Sequence, residues 1–232
     1  MFFKKTFLCA LVLFICASAL WAGDTAVFVD LGFSPDGKFF MFGQYGLQSG
    51  TLKPWADLFV VDVARNNFVS GGRLSYVHDA PALAGNDGAG ALYRLVARNS
   101  ALADQYRINY LNLGQPLFIA INGETPGPGE TIEFRDFISS NSYKANLVPY
   151  AEGAGQNLKS SFFINLECNT AAGGRRTYTV GTPQIKRPLI EEYRIRKVII
   201  APLDGSMIFV IEMKRIAGSS FDIRYMIEAI KL

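Results

Sequence analysis

The fold is decided by one stretch, Phe33-Ser34-Pro35-Asp36-Gly37-Lys38-Phe39-Phe40-Met41-Phe42. It begins with turn residues: proline presets the backbone at the second turn position, and Gly37 can take a positive φ at no steric cost. The aromatic run at residues 39–42 predicts a strand buried on both faces. An apolar run at residues 57–63 predicts the next strand. This part of the chain is therefore expected to form a β-hairpin corner within a meander.

The C-terminal part of the chain repeats this pattern. A predicted strand at residues 193–201 is followed by the corner Pro202-Leu203-Asp204-Gly205. Apolar residues then alternate with polar ones along residues 207–213 and 221–228, which predicts two further antiparallel strands. The Asp-Gly corners are 168 residues apart (204 − 36). That separation fits about four propeller blades of roughly 40–45 residues each.

Residues 89–106 differ from the rest, because Leu92, Leu95 and Leu102 recur at helical spacing. This spacing predicts one amphipathic helix, with Asp87 as its cap. The predicted fold is thus mainly β, with antiparallel meanders of propeller-blade type plus one amphipathic helix. A small or irregular propeller is the first expectation, and a two-layer β-sandwich is the alternative.

The N-terminus has the three parts of a secretory signal peptide: Lys4 and Lys5, an apolar run at residues 7–20, and small residues up to Ala22. Cleavage is expected after Ala22 or Ala19. This gives a signal peptide at residues 1–22 and a single mainly-β domain at residues 23–232, periplasmic or secreted. Two alternatives are a lipoprotein anchored at Cys16, although the preceding residue is not small, and an uncleaved N-terminal anchor.

Composition limits the partners of the exported chain. After residue 22 no apolar run reaches the length of a transmembrane helix. Removing Lys4 and Lys5 lowers the net charge from +3 to +1, so nucleic acid is not a predicted partner. Cys168 is the only cysteine after residue 22, which rules out an intramolecular disulfide. We expect Cys168 to be a buried, inert thiol, with an intermolecular disulfide as the alternative.

Catalytic, metal and cofactor signals are weak. His78 is the single histidine, and no G-x-S-x-G elbow frames a serine, so His78 is expected to be a loop residue without a catalytic role. The acidic residues of the central part are too dispersed for a calcium loop (Asp87, Glu124, Glu130, Glu133, Asp136). Zinc would need several histidines or cysteines. No metal and no cofactor are predicted.

Two features could contact a partner. Residues 43–55 are interpreted as a glycine-rich loop carrying Tyr45 and Trp55, whose rings suit stacking or recognition; alternatively they fold back over the sheet. Seven basic residues between 175 and 197 could meet an anionic partner, or they form a solvated strand face (Arg175, Arg176, Lys186, Arg187, Arg194, Arg196, Lys197). Tyr45 and Trp55 are the predicted binding residues.

Residues 33–63 resemble one blade of the TolB-type β-propeller repeats, through the corner Ser34-Pro35-Asp36-Gly37-Lys38 and the strand Leu58-Phe59-Val60-Val61-Asp62. Taken whole, the chain is similar to a family of bacterial predicted secreted proteins. That resemblance implies export and a mostly β domain, and it implies no catalytic residues.

These observations predict a secreted or periplasmic, non-enzymatic binding or scaffold protein, whose ligand or envelope protein partner is unknown. The alternative is a carboxylate-dependent hydrolase of cell-envelope material. Such an enzyme would need two carboxylates roughly 5 to 9.5 Å apart in a cleft.

Overall fold

The structure is a computed structural model, and it describes residues 23–121, 129 and 131–232. The predicted signal peptide at residues 1–22 lies outside the described residues, and so do Glu124 and Glu130. Within these ranges, no helix is long and apolar enough to cross a membrane.

Three antiparallel sheets, here called A, B and C, contain the strands of the described residues. Sheet A is a four-stranded meander in sequence order, formed by β1 Val27–Phe33, β2 Phe39–Leu47, β3 Pro54–Asp62 and β4 Asn67–Val77. Two helices follow it, α1 Ala89–Arg98 and α2 Ser100–Gln105.

Sheet B has the order β13-β12-β11-β5, with β5 Gln115–Ile119, β11 Ile190–Ile200, β12 Met207–Ala217 and β13 Ser220–Ile230. Sheet C has the order β10-β8-β7-β6, and β9 also pairs with β8. Its strands are β6 Thr131–Arg135, β7 Ser142–Glu152, β8 Lys159–Asn169, β9 Arg175–Val180 and β10 Arg187–Pro188. A single 3-10 turn, Gly155–Asn157, lies between β7 and β8. The mainly-β prediction is confirmed.

The layers stack in the order helices, sheet A, sheet B, sheet C. Strand β12 shows why sheet B lies in the middle. Met207, Phe209 and Ile211 belong to the core shared with sheet C, whereas the alternate residues Ile208 and Val210 belong to the core shared with sheet A. All five are at most 1% exposed. Because side chains alternate across a strand, a strand that is apolar at every position can serve two cores at once.

The corner has the predicted turn chemistry. The Gly37 N–H donates to the Ser34 carbonyl oxygen at 3.0 Å, and Gly37 has a φ of +71°. The Ser34 hydroxyl donates to Asp36 Oδ1 at 2.7 Å and accepts from the Phe39 N–H at 3.0 Å. The Ser34 hydroxyl and the Lys38 ammonium lower the pKa of Asp36 to about 2. Phe40 and Phe42 continue from this turn into the core between sheets A and B.

The two Asp-Gly corners lie side by side. A Cβ placed on Gly37 would be 3.2 Å from Asp204 Oδ1, so the β1–β2 and β11–β12 corners occupy the same end of the molecule. At the other end, the segment before β1 pairs with β13 through Thr25 and Ile223. The two terminal meanders therefore pack face to face and are also joined at one edge.

Two predictions need correction. The helical segment is not one helix, because it breaks at Asn99, whose side-chain amide donates to the Leu95 carbonyl oxygen at 2.8 Å. The sheets also form an open stack and not the ring of a propeller. The helices cover the outer face of sheet A, and the outer face of sheet C carries exposed polar residues such as Lys144 and Asn165. The arrangement corresponds to the sandwich-type alternative with a third sheet added.

Candidate functional site

A cleft lies between sheets B and C, at the end of the molecule where the Asp-Gly corners meet. Its volume is about 500 Å³, within the range of small-molecule sites. Sheet B and its neighbouring loops supply an apolar wall that includes Leu113, Ile200, Pro202 and Leu232. Sheet C supplies the polar groups of the opposite wall.

Register places three functional groups in one row across sheet C. Tyr143 on β7 lies opposite Cys168 on β8, and Cys168 lies opposite Arg176 on β9. Directly paired residues share a face of a sheet, and this face is the one that lines the cleft. The row therefore runs from a buried phenol, through a buried thiol, to an exposed guanidinium at the mouth.

Burial controls the chemistry of the thiol and the phenol. Cys168 is 5% exposed, and desolvation raises the pKa of its thiol, partly offset by the Tyr143 hydroxyl and the Arg176 charge. Desolvation likewise raises the pKa of Tyr143. The thiolate is the nucleophilic form of cysteine, and a raised pKa disfavours it. The prediction of a buried thiol is confirmed, and this environment disfavours nucleophilic attack by Cys168.

Asp136 supplies a carboxylate to the cleft wall, and donors in its own β6–β7 hairpin hydrogen-bond to this carboxylate. Its oxygens accept hydrogen bonds from the Ile138 N–H at 2.9 Å, the Ser139 N–H at 3.3 Å and the Ser139 hydroxyl at 2.5 Å. Although desolvation opposes it, this set of donors lowers the pKa of Asp136. The carboxylate therefore shapes the β6–β7 turn.

Most residues of the predicted basic patch form ion pairs with carboxylates. Six of its seven residues lie within 4.0 Å of a carboxylate: Arg175 of Glu167, Lys186 of Glu152, Arg187 of Glu228, Arg194 of Glu192, Arg196 of Glu212 and Lys197 of Asp30. The seventh, Arg176, has no ion-pair partner in the described part of the chain. The sequence does not distinguish these seven residues, whereas in the structure Arg176 is the one of them that lines the cleft.

The predicted loop at residues 43–55 is largely strand, which corrects that expectation. Strand β2 continues to Leu47 and β3 begins at Pro54, so the connection is only residues 48–53. The glycines are present because neighbours approach closely. A Cβ on Gly43 would lie 2.5 Å from Leu92 of α1, and one on Gly46 would lie 3.0 Å from the Trp55 ring.

Tyr45 and Trp55 are placed on opposite faces of sheet A, because Tyr45 pairs with Ala56 and Trp55 pairs with Gly46. Tyr45 faces the helices, and its hydroxyl donates to Asp87 at 3.0 Å. Burial, followed by this bond, raises the pKa of Tyr45. Asp87 also accepts from the Ala89 N–H at 3.0 Å, but the N-cap of α1 is Gly88 and has no side-chain cap hydrogen bond, so the prediction of Asp87 as the cap is wrong.

Trp55 is 5% exposed and lies beneath Arg224, whose Cζ is 4.1 Å from the ring centroid. Its ring nitrogen is buried and lacks a hydrogen-bond acceptor among the described residues. Arg224 also pairs with Asp24 at 3.1 Å and with Asp222 at 3.7 Å. The structure thus does not bring the two predicted binding residues together, and the Trp55 side chain packs inside the protein.

The remaining candidates show little catalytic organisation. His78 Nδ1 accepts from the Ala80 N–H at 3.1 Å. In the described ranges, no group of three or more His, Cys, Asp or Glu residues could hold a metal ion. Glu192 and Glu212 share a hollow of about 250 Å³, but arginines hold both, at 2.6 Å and 3.2 Å.

The comparisons with known proteins agree with export. A family model described as "Predicted secreted protein (DUF2259)" matches residues 41–231. Neither the search of curated proteins nor the search of solved structures found a match. The family match confirms the predicted localisation and extends from the middle of β2 through β13. The chain therefore belongs to the family of predicted secreted proteins described by that model.

Proposed function

We propose that this is an exported, non-enzymatic binding protein, and that its ligand enters the cleft between sheets B and C. The proposal takes residues 1–22 as a signal peptide and residues 23–232 as one domain. The observation that carries it is the pairing of an apolar wall with a single cation, Arg176, which has no ion-pair partner among the described residues.

The chemistry of the two walls defines the ligand class. The apolar wall of sheet B favours an apolar body, since each buried methylene contributes about 0.8 kcal/mol. At the mouth, Arg176 can donate charge-assisted hydrogen bonds to an anionic group. Tyr143 and Cys168 can hydrogen-bond a ligand, while the raised pKa of each keeps its proton in place. The ligand we propose is an apolar molecule with one anionic group.

Anilinonaphthalene sulfonate, a fluorescent apolar anion, tests this proposal. The protein is expected to bind it saturably, and Arg176→Gln is expected to weaken binding about tenfold, as for the loss of one charge-assisted hydrogen bond. Leu113→Trp, which places an indole in the cleft, is expected to remove binding. A urea midpoint close to that of the unsubstituted protein shows that each variant is folded.

Two matched controls make the result interpretable. Arg175 is adjacent in β9, but it points to the other face of sheet C and pairs with Glu167, so Arg175→Gln should leave binding unchanged. Ile185→Trp adds an indole at a 53% exposed position outside the cleft wall. Equal losses in Arg175→Gln and Arg176→Gln would reject the cleft as the site, as would the absence of saturable binding.

A binding role for Tyr45 is a narrower, separate proposal. Beside it, residues of the loop before α1 line a hollow of about 430 Å³ that includes His78 and Asp87. Tyr45→Phe removes only the hydroxyl, and in a pull-down of envelope proteins it is expected to lower the recovery of the partner. Trp55 would support such a surface indirectly, by packing on the opposite face of sheet A. Unchanged partner recovery by Tyr45→Phe and Tyr45→Ala would dismiss this surface.

The hydrolase alternative has weaker support. Glycoside cleavage needs one carboxylic acid that can donate a proton and a second carboxylate that remains ionised. In the hollow shared by Glu192 and Glu212, each carboxylate is instead paired with an arginine. Turnover of a cell-wall substrate that is lost in Glu192→Gln or Glu212→Gln would support the hydrolase alternative.

A further inference from the structure

The exposed apolar side chains of this protein are concentrated at one end. Five large hydrophobic side chains among the described residues are more than 70% exposed, and four of them lie on loops at the cleft end: Leu111 at 93%, Phe137 and Ile138 at 82%, and Leu203 at 71%. The fifth, Leu83 at 78%, lies in the segment before α1. Soluble proteins seldom gather such side chains without a partner for them.

Three separate loops bring these side chains to the mouth of the cleft. Phe137 and Ile138 form the tip of the β6–β7 hairpin, Leu203 is at the tip of the β11–β12 hairpin, and Leu111 lies in the segment before β5. Neighbours in each loop line the cleft itself, including Leu113 and Pro202. The segment before β5 is fixed in place because the Asn112 amide donates to the Ser34 carbonyl oxygen at 3.2 Å.

The charges around these tips are unbalanced in favour of cations. Arg135 ends β6 immediately before the Phe137–Ile138 tip, and both Arg135 and Arg176 are exposed without an ion-pair partner in the described part of the chain. Two of the loop carboxylates are already paired with lysines. Asp36 is paired with Lys38 at 3.0 Å and Asp204 with Lys231 at 3.8 Å, whereas Asp136 stays ionised within the β6–β7 turn, so the two unpaired arginines face one unpaired carboxylate.

We propose that this end of the molecule docks on an anionic lipid bilayer. Apolar side chains at hairpin tips, flanked by unpaired arginines, match a surface that is anionic outside and apolar a few ångströms below. Leu111, Phe137, Ile138 and Leu203 enter the acyl boundary, while Arg135 and Arg176 meet lipid phosphates. Docking in this orientation turns the mouth of the cleft toward the bilayer. The docking surface goes beyond the proposed function and does not depend on what the cleft binds.

Co-sedimentation with vesicles tests docking. The protein is expected to bind vesicles of phosphatidylethanolamine and phosphatidylglycerol (3:1), and to bind pure phosphatidylcholine vesicles more weakly. The double variant Phe137→Ser/Ile138→Ser is expected to lower partitioning about 100-fold, because burying each large apolar side chain is worth roughly tenfold or more. Arg135→Gln is expected to lower it about fivefold on the anionic vesicles alone.

Leu83→Ser is the matched control, because it removes an equally exposed leucine away from the cleft. It is expected to change partitioning by less than about twofold, within the range of a neutral surface substitution. Equal loss in Leu83→Ser and the double variant would overturn the proposal, and so would failure of the unsubstituted protein to bind anionic vesicles. A dimer that dissociates in the double variant would assign the tips to a second copy and would also overturn it.

The two proposals fail separately. Binding of anilinonaphthalene sulfonate depends on Arg176 and Leu113 inside the cleft, and the single variant Phe137→Ser, whose side chain is not part of the cleft lining, is expected to keep it. Vesicle binding without dye binding would reject only the cleft ligand. Dye binding without vesicle binding would reject only the docking surface.

Discussion

Sheet B is a layer with a core on each of its faces, and substitutions at two adjacent residues of β12 test this. Phe209 packs against sheet C and Ile208 packs against sheet A, and both are 0% exposed. A two-layer sandwich would leave one of these two faces outside a core. Truncating both side chains in turn therefore distinguishes three sheets from two.

The expected losses follow from complete burial on both sides. Phe209→Ala should lower the free energy of unfolding by about 4 kcal/mol and Ile208→Ala by about 3 kcal/mol, counting both the lost transfer energy and the cavity. Domains have roughly 5–15 kcal/mol in total, so each single variant is expected to fold. Phe221→Ala is the control: its ring is 38% exposed beneath Lys214, and about 1 kcal/mol is expected.

Urea denaturation followed by tryptophan fluorescence measures these losses. Trp55 is the only tryptophan after residue 22, and it is buried between sheet A and Arg224, so its emission should shift on unfolding. With a slope of about 2 kcal/mol/M, the urea midpoint should fall by about 2 M in Phe209→Ala and by about 1.5 M in Ile208→Ala. A loss below about 1 kcal/mol for either Phe209→Ala or Ile208→Ala would show that the corresponding face is not a core, and would refute the three-sheet packing.

Two further substitutions test the polar contacts between layers. Arg224→Ala should cost about 3 kcal/mol and shift Trp55 emission to the red, because Asp24 and Asp222 lose their cation in a half-buried site; an unchanged urea midpoint would contradict this. Burial raises the pKa of Glu228 above its ordinary 4.5, so the folded state holds this proton more tightly than the unfolded state does. The contribution of Glu228 to stability is therefore complete below pH 4.5 and is lost as pH rises through the folded pKa. Glu228→Gln should remove this component, and equal pH dependence of the urea midpoints of the two proteins would contradict it.

Local chemistry made part of the fold predictable. The corner at residues 34–37 folds as expected because proline, an aspartate and a glycine act on their own neighbours. The final meander follows from alternation along β12 and β13 and needs no knowledge of its surroundings. In contrast, the rule that glycines mark loops failed at Gly43 and Gly46. These two glycines make room for Leu92 and Trp55, which approach from other parts of the chain.

The cleft could not have been predicted from local signals. Tyr143, Cys168 and Arg176 become neighbours only through the register of three strands, and the opposite wall comes from sheet B. Arg176 is likewise one of seven similar residues until the ion pairs of the other six are known. A weak signal was present in the sequence, since Cys168 is the only cysteine after residue 22 and lies on a strand with alternating apolar residues. It indicated burial and gave no indication of a ligand.

Alkylation of Cys168 by N-ethylmaleimide tests the central claim most directly. This thiol is the only cysteine after residue 22, and it lies in the wall of the cleft. Because burial and the raised pKa make its alkylation slow, the rate is measured at high reagent concentration and compared with and without dye. Anilinonaphthalene sulfonate at ten times its dissociation constant should slow the reaction about tenfold, and this protection should weaken in Arg176→Gln. An alkylation rate that saturating dye leaves unchanged would contradict ligand binding in this cleft.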